Sequence, residues 1–77
     1  MKKLEVKAIS NGSYKLSAMN EDELTVRTTL YYEKDPDVYR ENVRKIAETF
    51  RKEGCLIYEA DIMECIIHEL SKRIPMC

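Results

Sequence analysis

Hydrophobic and polar residues alternate with a period of two through the first 33 residues of the chain. Such alternation separates the side chains onto two faces and indicates strands that are buried on one face only. We therefore predict three strands, at about 3–10, 13–19 and 24–33. The positions on their shared inner face are Leu4, Val6, Ala8, Tyr14, Leu16, Ala18, Leu24, Val26, Thr28, Leu30 and Tyr32.

The turns between these strands follow from the same alternation. A two-residue turn at Asn11-Gly12 would mix polar and apolar side chains on both faces, because a shift of one residue exchanges the faces. A three-residue loop at 10–12 keeps the faces separate and puts Gly12 at a left-handed position. By the same argument, the second loop is predicted at 20–22. The predicted inner rows are Leu4–Ala18–Leu24, Val6–Leu16–Val26 and Ala8–Tyr14–Thr28.

The second half of the chain has helical periodicity. Asp35 suits a helix N-cap, Pro36 suits the first helical position, and Gly54 suits the residue that follows a helix. We predict helices at about 36–53 and 58–73, with Pro75 preventing continuation of the second. The predicted buried positions are Tyr39, Val43, Ile46, Ala47 and Phe50 in the first helix, and Ala60, Ile62, Met63, Ile66, Ile67, Leu70 and Ile74 in the second.

These elements predict a single α+β domain over 1–77, in which two C-terminal helices cover one face of a three-stranded antiparallel meander. The order strand–strand–strand–helix–helix is similar to that of some small phage-encoded inhibitors of host defence. It is also similar to three-stranded DNA-reading domains of the integrase N-terminal type, which end in one helix. Both likenesses concern element order alone, and they imply either inhibition of a partner protein or DNA binding.

The composition narrows the class of protein. The chain has 77 residues, 13 Lys or Arg against 14 Asp or Glu, and a net charge of −1. This balance argues against a polycation and against a disordered acidic tail. Three irregularly spaced cysteines are unlike the even, denser set of a small secreted protein, and the sequence has no signal-peptide or membrane-spanning pattern. We expect a cytoplasmic protein without a membrane partner.

Cations lie together on the predicted outer face of the sheet. Under the predicted registers, Lys7, Lys15 and Arg27 form one row across the three strands, and Tyr31 lies on the same face. Like charges directly opposite each other destabilise a sheet, so this row could meet an anion such as a nucleic-acid phosphate. The alternative is that the long side chains extend into water, with carboxylates nearby.

Charge is also segregated along the chain. The net charges are +3 over 1–20, −4 over 21–37, +2 over 38–54 and −2 over 55–77. Arg40 and Arg44 lie on one side of the first helix, within the third of these segments. Such segregation fits a binding surface, although a solvated helix face has the same pattern.

Strand three is predicted to run past its pairing with strand two. The segment 29–33 contains Leu30, Tyr31 and Tyr32, which are strong strand formers without an assigned partner. An uncovered edge of this kind favours a homodimer that continues the sheet. The alternative is that Leu30 and Tyr32 cover the helix pair.

The sequence does not point to a catalytic or metal site. Asp61, Cys65 and His68 follow one another by single turns of the second helix, but side chains along one helix lack the geometry of a nucleophilic enzyme. The cysteine spacing matches no structural zinc site. Cys65 is better explained as a small residue at the edge of the packed helix face. We therefore predict no enzyme, no metal and no cofactor.

The main hypothesis is a small non-catalytic protein–protein interaction module that acts by stoichiometric binding, as a homodimer and with an unidentified second protein. Its candidate interaction residues are Leu30, Tyr31, Tyr32, Arg40 and Arg44. The alternative is a nucleic-acid-binding accessory protein that uses Lys7, Lys15, Arg27 and Tyr31. A third, minor alternative is a metal- or redox-responsive protein that uses Cys65 and His68. The sequence assigns no role to Pro75, Met76 and Cys77.

Overall fold

The computed structural model describes residues 4–73 and shows the predicted α+β fold. Three strands form an antiparallel sheet in the order β1-β2-β3, and two helices follow. The strands are β1 (Leu4–Ala8), β2 (Tyr14–Met19) and β3 (Thr25–Leu30), and the helices are α1 (Pro36–Lys52) and α2 (Glu59–Arg73). Because α1 packs against β3 and α2 against β1, the helix pair covers one face of the sheet.

The first hairpin has the predicted register, and a three-residue loop at 10–12 closes it. The N–H of Ile9 donates to the carbonyl of Ser13 at 2.9 Å across the loop. Gly12 adopts the predicted left-handed backbone with φ 72°, and Asn11 shares it with φ 68°. The inner pairs are Leu4 with Ala18, Val6 with Leu16 and Ala8 with Tyr14, as predicted.

The second hairpin is shifted by two residues from its predicted register. The inner pairs of β2 and β3 are Ala18 with Val26, Leu16 with Thr28 and Tyr14 with Leu30. The prediction that Leu24 lies in an inner row is therefore wrong, and Leu24 lies in the turn with 63 % of its surface exposed. Because a shift of two residues leaves every side chain on the same face, the alternation could not distinguish the two registers.

The side chain of Asn20 organises the observed turn. Its Oδ1 accepts hydrogen bonds from the N–H groups of Asp22 at 2.9 Å and Leu24 at 3.0 Å. Its Nδ2 donates to the carbonyl of Glu53 at 3.0 Å, which ties the turn to the end of α1. Glu23 adopts a left-handed backbone, with φ 62°, where the loop closes.

The shifted register also removes the predicted overhang of strand three. Leu30 pairs with Tyr14 and is 1 % exposed, so it belongs to the core and cannot contact a partner. β3 ends at Leu30, and the exposed residues Tyr31 and Tyr32 follow it outside the strand. The prediction of a strand that continues unpaired to residue 33 is therefore wrong.

The core lies between the sheet and the helices. Its buried apolar side chains are Tyr14, Leu16, Ala18, Leu30, Val43, Ala47, Phe50, Cys55, Ile57, Ile62 and Ile66. The positions predicted for α1 are confirmed, with full burial of Val43, Ala47 and Phe50 and partial burial of Tyr39 and Ile46. Cys55 and Ile57 belong to the segment between the helices, where no periodicity indicates burial.

Both ends of α1 have the predicted caps. At the N-terminus, Oδ1 of Asp35 accepts a hydrogen bond from the N–H of Asp37 at 3.0 Å. At the C-terminus, Gly54 has φ 91°, and the N–H of Cys55 donates to the carbonyl of Phe50 at 2.8 Å. This is a Schellman turn, and it directs the following chain back into the core.

The buried part of α2 is narrower than predicted. Of the predicted positions that the structure describes, Ile62 and Ile66 are buried, whereas Ala60, Met63, Ile67 and Leu70 are exposed. The remaining predicted position, Ile74, lies outside the described residues. The sheet and α1 therefore cover only part of the apolar surface of α2.

Candidate interaction surfaces

An open groove runs between α2 and the segment that leads from β3 into α1. It consists of two adjoining depressions, of about 470 Å³ and about 440 Å³, which share Pro36, Tyr39 and Met63. We call it the apolar groove. Its other exposed apolar lining residues are Tyr32, Ala60, Ile67 and Leu70.

The α2 side of this groove is a stripe of four residues, Ala60, Met63, Ile67 and Leu70, which we call the α2 seam. Their spacing of three, four and three residues places them along one side of the helix. Met63, Ile67 and Leu70 keep 38 %, 60 % and 44 % of their surface exposed. A continuous exposed apolar stripe of this kind marks an interaction site more often than scattered apolar residues do.

Tyr32 stands at one end of the groove, and the first hairpin holds it there. Its N–H donates to Oγ of the buried Ser13 at 3.0 Å. Its ring lies against Gly12, where an added Cβ would come within 3.1 Å of the Tyr32 Cδ1 atom. Gly12 therefore serves two purposes, because it supplies the left-handed turn and leaves room for the ring.

Tyr39 forms part of the floor of the groove. It is half-buried and lines both depressions. Burial, together with the nearby Tyr14, raises the pKa of its hydroxyl. The side chain is therefore neutral at physiological pH and presents an aromatic surface with a single polar end.

The two arginines predicted for interaction have different surroundings. Arg40 is exposed and lines the groove, as does Glu59. Arg44 instead contacts two carboxylates of its own helix, with Nη2 at 2.5 Å from Glu41 Oε2 and Nη1 at 2.6 Å from Glu48 Oε2. The hydrogen bond from Arg44 lowers the pKa of the Glu41 carboxyl. Arg40 is therefore placed at the groove, while Arg44 is engaged along α1.

The outer sheet face does not contain the predicted row of three cations. Lys7 and Lys15 are direct cross-strand partners, as predicted, but Arg27 lies opposite Ser17 because of the shifted register. All three cations line an open groove of about 590 Å³, together with Glu5 and Glu69. These carboxylates reduce the positive potential of the face. Tyr31, 70 % exposed, is not among the lining residues.

Of the residues Asp61, Cys65 and His68 on α2, Asp61 has a structural role. Oδ2 of Asp61 accepts a hydrogen bond from the N–H of Tyr58 at 2.8 Å, which caps the start of the helix. Burial raises the pKa of the Cys65 thiol, and the nearby Glu64 and Asp61 raise it further, so the thiol is not an activated nucleophile. Within residues 4–73, no group of three His, Cys, Asp or Glu residues could hold a metal ion.

Sequence reasoning missed the apolar groove because it assigned the groove-lining residues of α2 to the core. One signal was available. Successive residues turn by about 100° around a helix, so Ile62 and Ile67 point about 140° apart, and one core contact rarely covers so wide an arc. A second apolar surface was therefore implied by the width of the stripe. Its location beside Tyr32 required the tertiary structure.

No protein-family profile, curated protein or solved structure gives a significant match to this chain. Neither helix within the described range is long and apolar enough to cross a bilayer. The function is therefore argued from the surfaces of the chain itself.

Proposed function

We propose that this protein is a small non-catalytic module that binds another polypeptide through the apolar groove. The observation that carries the proposal is the continuous exposure of the α2 seam and Tyr32 along one groove. Removing apolar surface from water is favourable by about 25 cal/mol per Å². A partner that covers this groove therefore gains binding energy without any rearrangement of the core.

The groove has the composition of a recognition site. Its centre is aliphatic and aromatic, and charged residues of both signs surround it, namely Glu33, Lys34, Arg40 and Glu59. Protein interfaces have this arrangement of an apolar centre and a polar rim. Tyr32, Tyr39 and Arg40 are also of the residue types that dominate binding energy at interfaces.

The proposed compartment is the cytoplasm. Cys55 and Cys65 are free thiols, which agrees with a reducing environment. A protein that acts by stoichiometric binding alone needs no cofactor.

Affinity capture from nuclease-treated and untreated lysate of the source cell tests the proposal. We expect a protein to be captured in both lysates, and Tyr32→Glu to abolish the capture because it puts a charge into the groove. Tyr31→Glu is the matched control, because Tyr31 is the adjacent residue and is at least as exposed as Tyr32 but does not line the groove. Equal loss with both variants, or capture that disappears after nuclease treatment, would contradict the proposal.

A second candidate function, nucleic-acid binding, is favoured by the direct pairing of Lys7 with Lys15 on the exposed sheet face. Among the described residues, neither lysine forms an ion pair with a carboxylate. A bound phosphate would relieve the repulsion between them. If this function is correct, affinity for duplex or single-stranded nucleic acid falls steeply with salt, and Lys15→Glu weakens it further. Salt-insensitive or undetectable binding would exclude it.

A further inference from the structure

We infer that the occupant of the apolar groove is a second copy of this chain, bound through antiparallel pairing of the two α2 helices. This inference rests on the proposed function, because it assigns a partner to the same groove. It differs from the sequence-based homodimer, which used the edge of strand three. The structure leaves that edge shorter than predicted and exposes the α2 seam instead.

The spacing of the α2 seam is that of a paired helix. Residues separated alternately by three and four positions form the contact line of two helices that pack side by side. In an antiparallel pair centred between Met63 and Ile67, Met63 faces Ile67 of the second copy, and Ala60 faces Leu70 of the second copy. The same contacts recur on the other side of the centre, as a two-fold axis requires. A small residue then meets a large one at each end of the pairing.

The charges of α2 select the antiparallel orientation. The residues 59–65 contain three acidic residues and no basic residue, whereas 66–73 contain two basic residues and one acidic residue. In an antiparallel pair Glu59 at the start of each helix comes close to the basic end of the other. A parallel pair would bring the two acidic halves together. The two ends of the helix therefore complement each other in the antiparallel orientation only.

The α2 seam alone is too small for a stable interface, so the rest of the apolar groove must be buried as well. α2 has 15 residues and is about 22 Å long. A stable interface takes about 800 Å² from each partner, which is more than one stripe of a helix of this length provides. Tyr32, Pro36 and Tyr39 lie directly beside the seam across the groove. A helix that docks on the seam therefore also covers these residues, which enlarges the buried area.

Sedimentation equilibrium of the whole chain from about 1 µM to about 1 mM tests the association. We expect the mass to rise with concentration from 9.1 kDa to twice that value. Ile67→Glu should weaken the association by about 30-fold or more, as expected for a residue at the centre of an interface. Leu24→Glu is the matched control, because Leu24 is as exposed as Ile67 but lies in the β2–β3 turn. A mass of 9.1 kDa at all concentrations, or equal weakening by both variants, overturns the inference.

Disulfide trapping tests the orientation in a Cys65→Ser, Cys77→Ser background. A mixture of Met63→Cys and Ile67→Cys chains carrying different tags should cross-link more readily than either variant with itself. Self-linkage of Met63→Cys that equals or exceeds the mixed product indicates a parallel pair and overturns the inferred arrangement. Circular dichroism of each variant confirms that the fold is retained.

The two proposals fail in different ways. If the chain is monomeric up to about 1 mM and Tyr32→Glu still abolishes capture of a different protein, the second copy is excluded and the proposed function stands. If the groove variants change neither self-association nor capture, both proposals are excluded.

Discussion

Glu23 has a backbone conformation that its side chain disfavours. It holds φ at 62° in the β2–β3 loop. For a residue with a Cβ, left-handed backbone costs about 1–2 kcal/mol, whereas glycine adopts it freely. Glycine in turn raises the entropy of the unfolded chain, which offsets about 0.4–1 kcal/mol of the gain. We therefore expect Glu23→Gly to raise the free energy of unfolding by up to about 1 kcal/mol, as measured by urea denaturation.

The control for this prediction is Glu21→Gly in the same loop. Glu21 does not have a positive φ, so glycine there offers no relief and only adds flexibility to the unfolded chain. We expect it to lower the free energy of unfolding. Stabilisation by both variants would indicate that removal of acidic charge from the loop, and not backbone strain, is responsible.

The β2–β3 turn acts as a unit through Asn20. Its side chain accepts two backbone hydrogen bonds inside the turn and donates one to the carbonyl of Glu53 at the end of α1. A hydrogen bond of this type contributes about 1 kcal/mol, and partial solvent access reduces the loss when it is removed. We expect Asn20→Ala to lower the free energy of unfolding by about 1–2 kcal/mol in urea denaturation.

Asn20→Asp separates the two roles of this side chain. It keeps the acceptor for the turn but loses the donor to Glu53, and it places a negative charge near the C-terminal end of the α1 dipole. We expect destabilisation with the register of β2 and β3 retained, as followed by backbone amide NMR. A variant as stable as the wild type would show that the link to α1 contributes nothing.

The predictability of each element depends on what the local sequence specifies. The β1–β2 register could be predicted because the alternative turn exchanges the faces, and Gly12 fits only one of the two loops. The β2–β3 register could not, because both candidates keep the faces and the deciding contacts come from the Asn20 side chain. The helices were predicted from periodicity and from their caps at Asp35 and Gly54. Periodicity also marks every apolar position of α2, but only the tertiary structure shows that Ile67 is left exposed.

At the scale of the whole molecule, the described part of the chain is built around a core that the α1–α2 connection helps to close. Cys55 and Ile57 from this connection are 2 % and 1 % exposed. Arg51 of α1 donates to the carbonyl of Ile57 at 2.7 Å and lies 4.7 Å from the centre of the Tyr58 ring. The connection is therefore fixed to α1. It holds α2 with Ile62 in the core, so that Ile67 faces the groove.

This arrangement makes the stability of the fold sensitive to alkaline pH. Burial raises the pKa of the Cys55 thiol above its ordinary value of 9.0, with a smaller contribution from Glu53. Burial raises the pKa of Tyr39 in the same direction. Such a group keeps its proton in the folded state at a pH where the unfolded chain releases it. Its stabilising contribution is therefore complete below the unfolded pKa and is lost as the pH rises through the folded pKa.

We therefore expect the free energy of unfolding to fall as the pH rises above about 9, measured by urea denaturation under reducing conditions. Cys55→Ala should be less stable than the wild type at neutral pH, because it leaves a small cavity, but its stability should decline less steeply in alkali. Cys65→Ala is measured in parallel, because the pKa of this half-buried thiol is raised as well and its removal should also make the decline less steep. An unchanged slope in Cys55→Ala would show that the Cys55 thiol does not link core packing to pH, and would leave Cys65 and Tyr39 as the titrating groups to test.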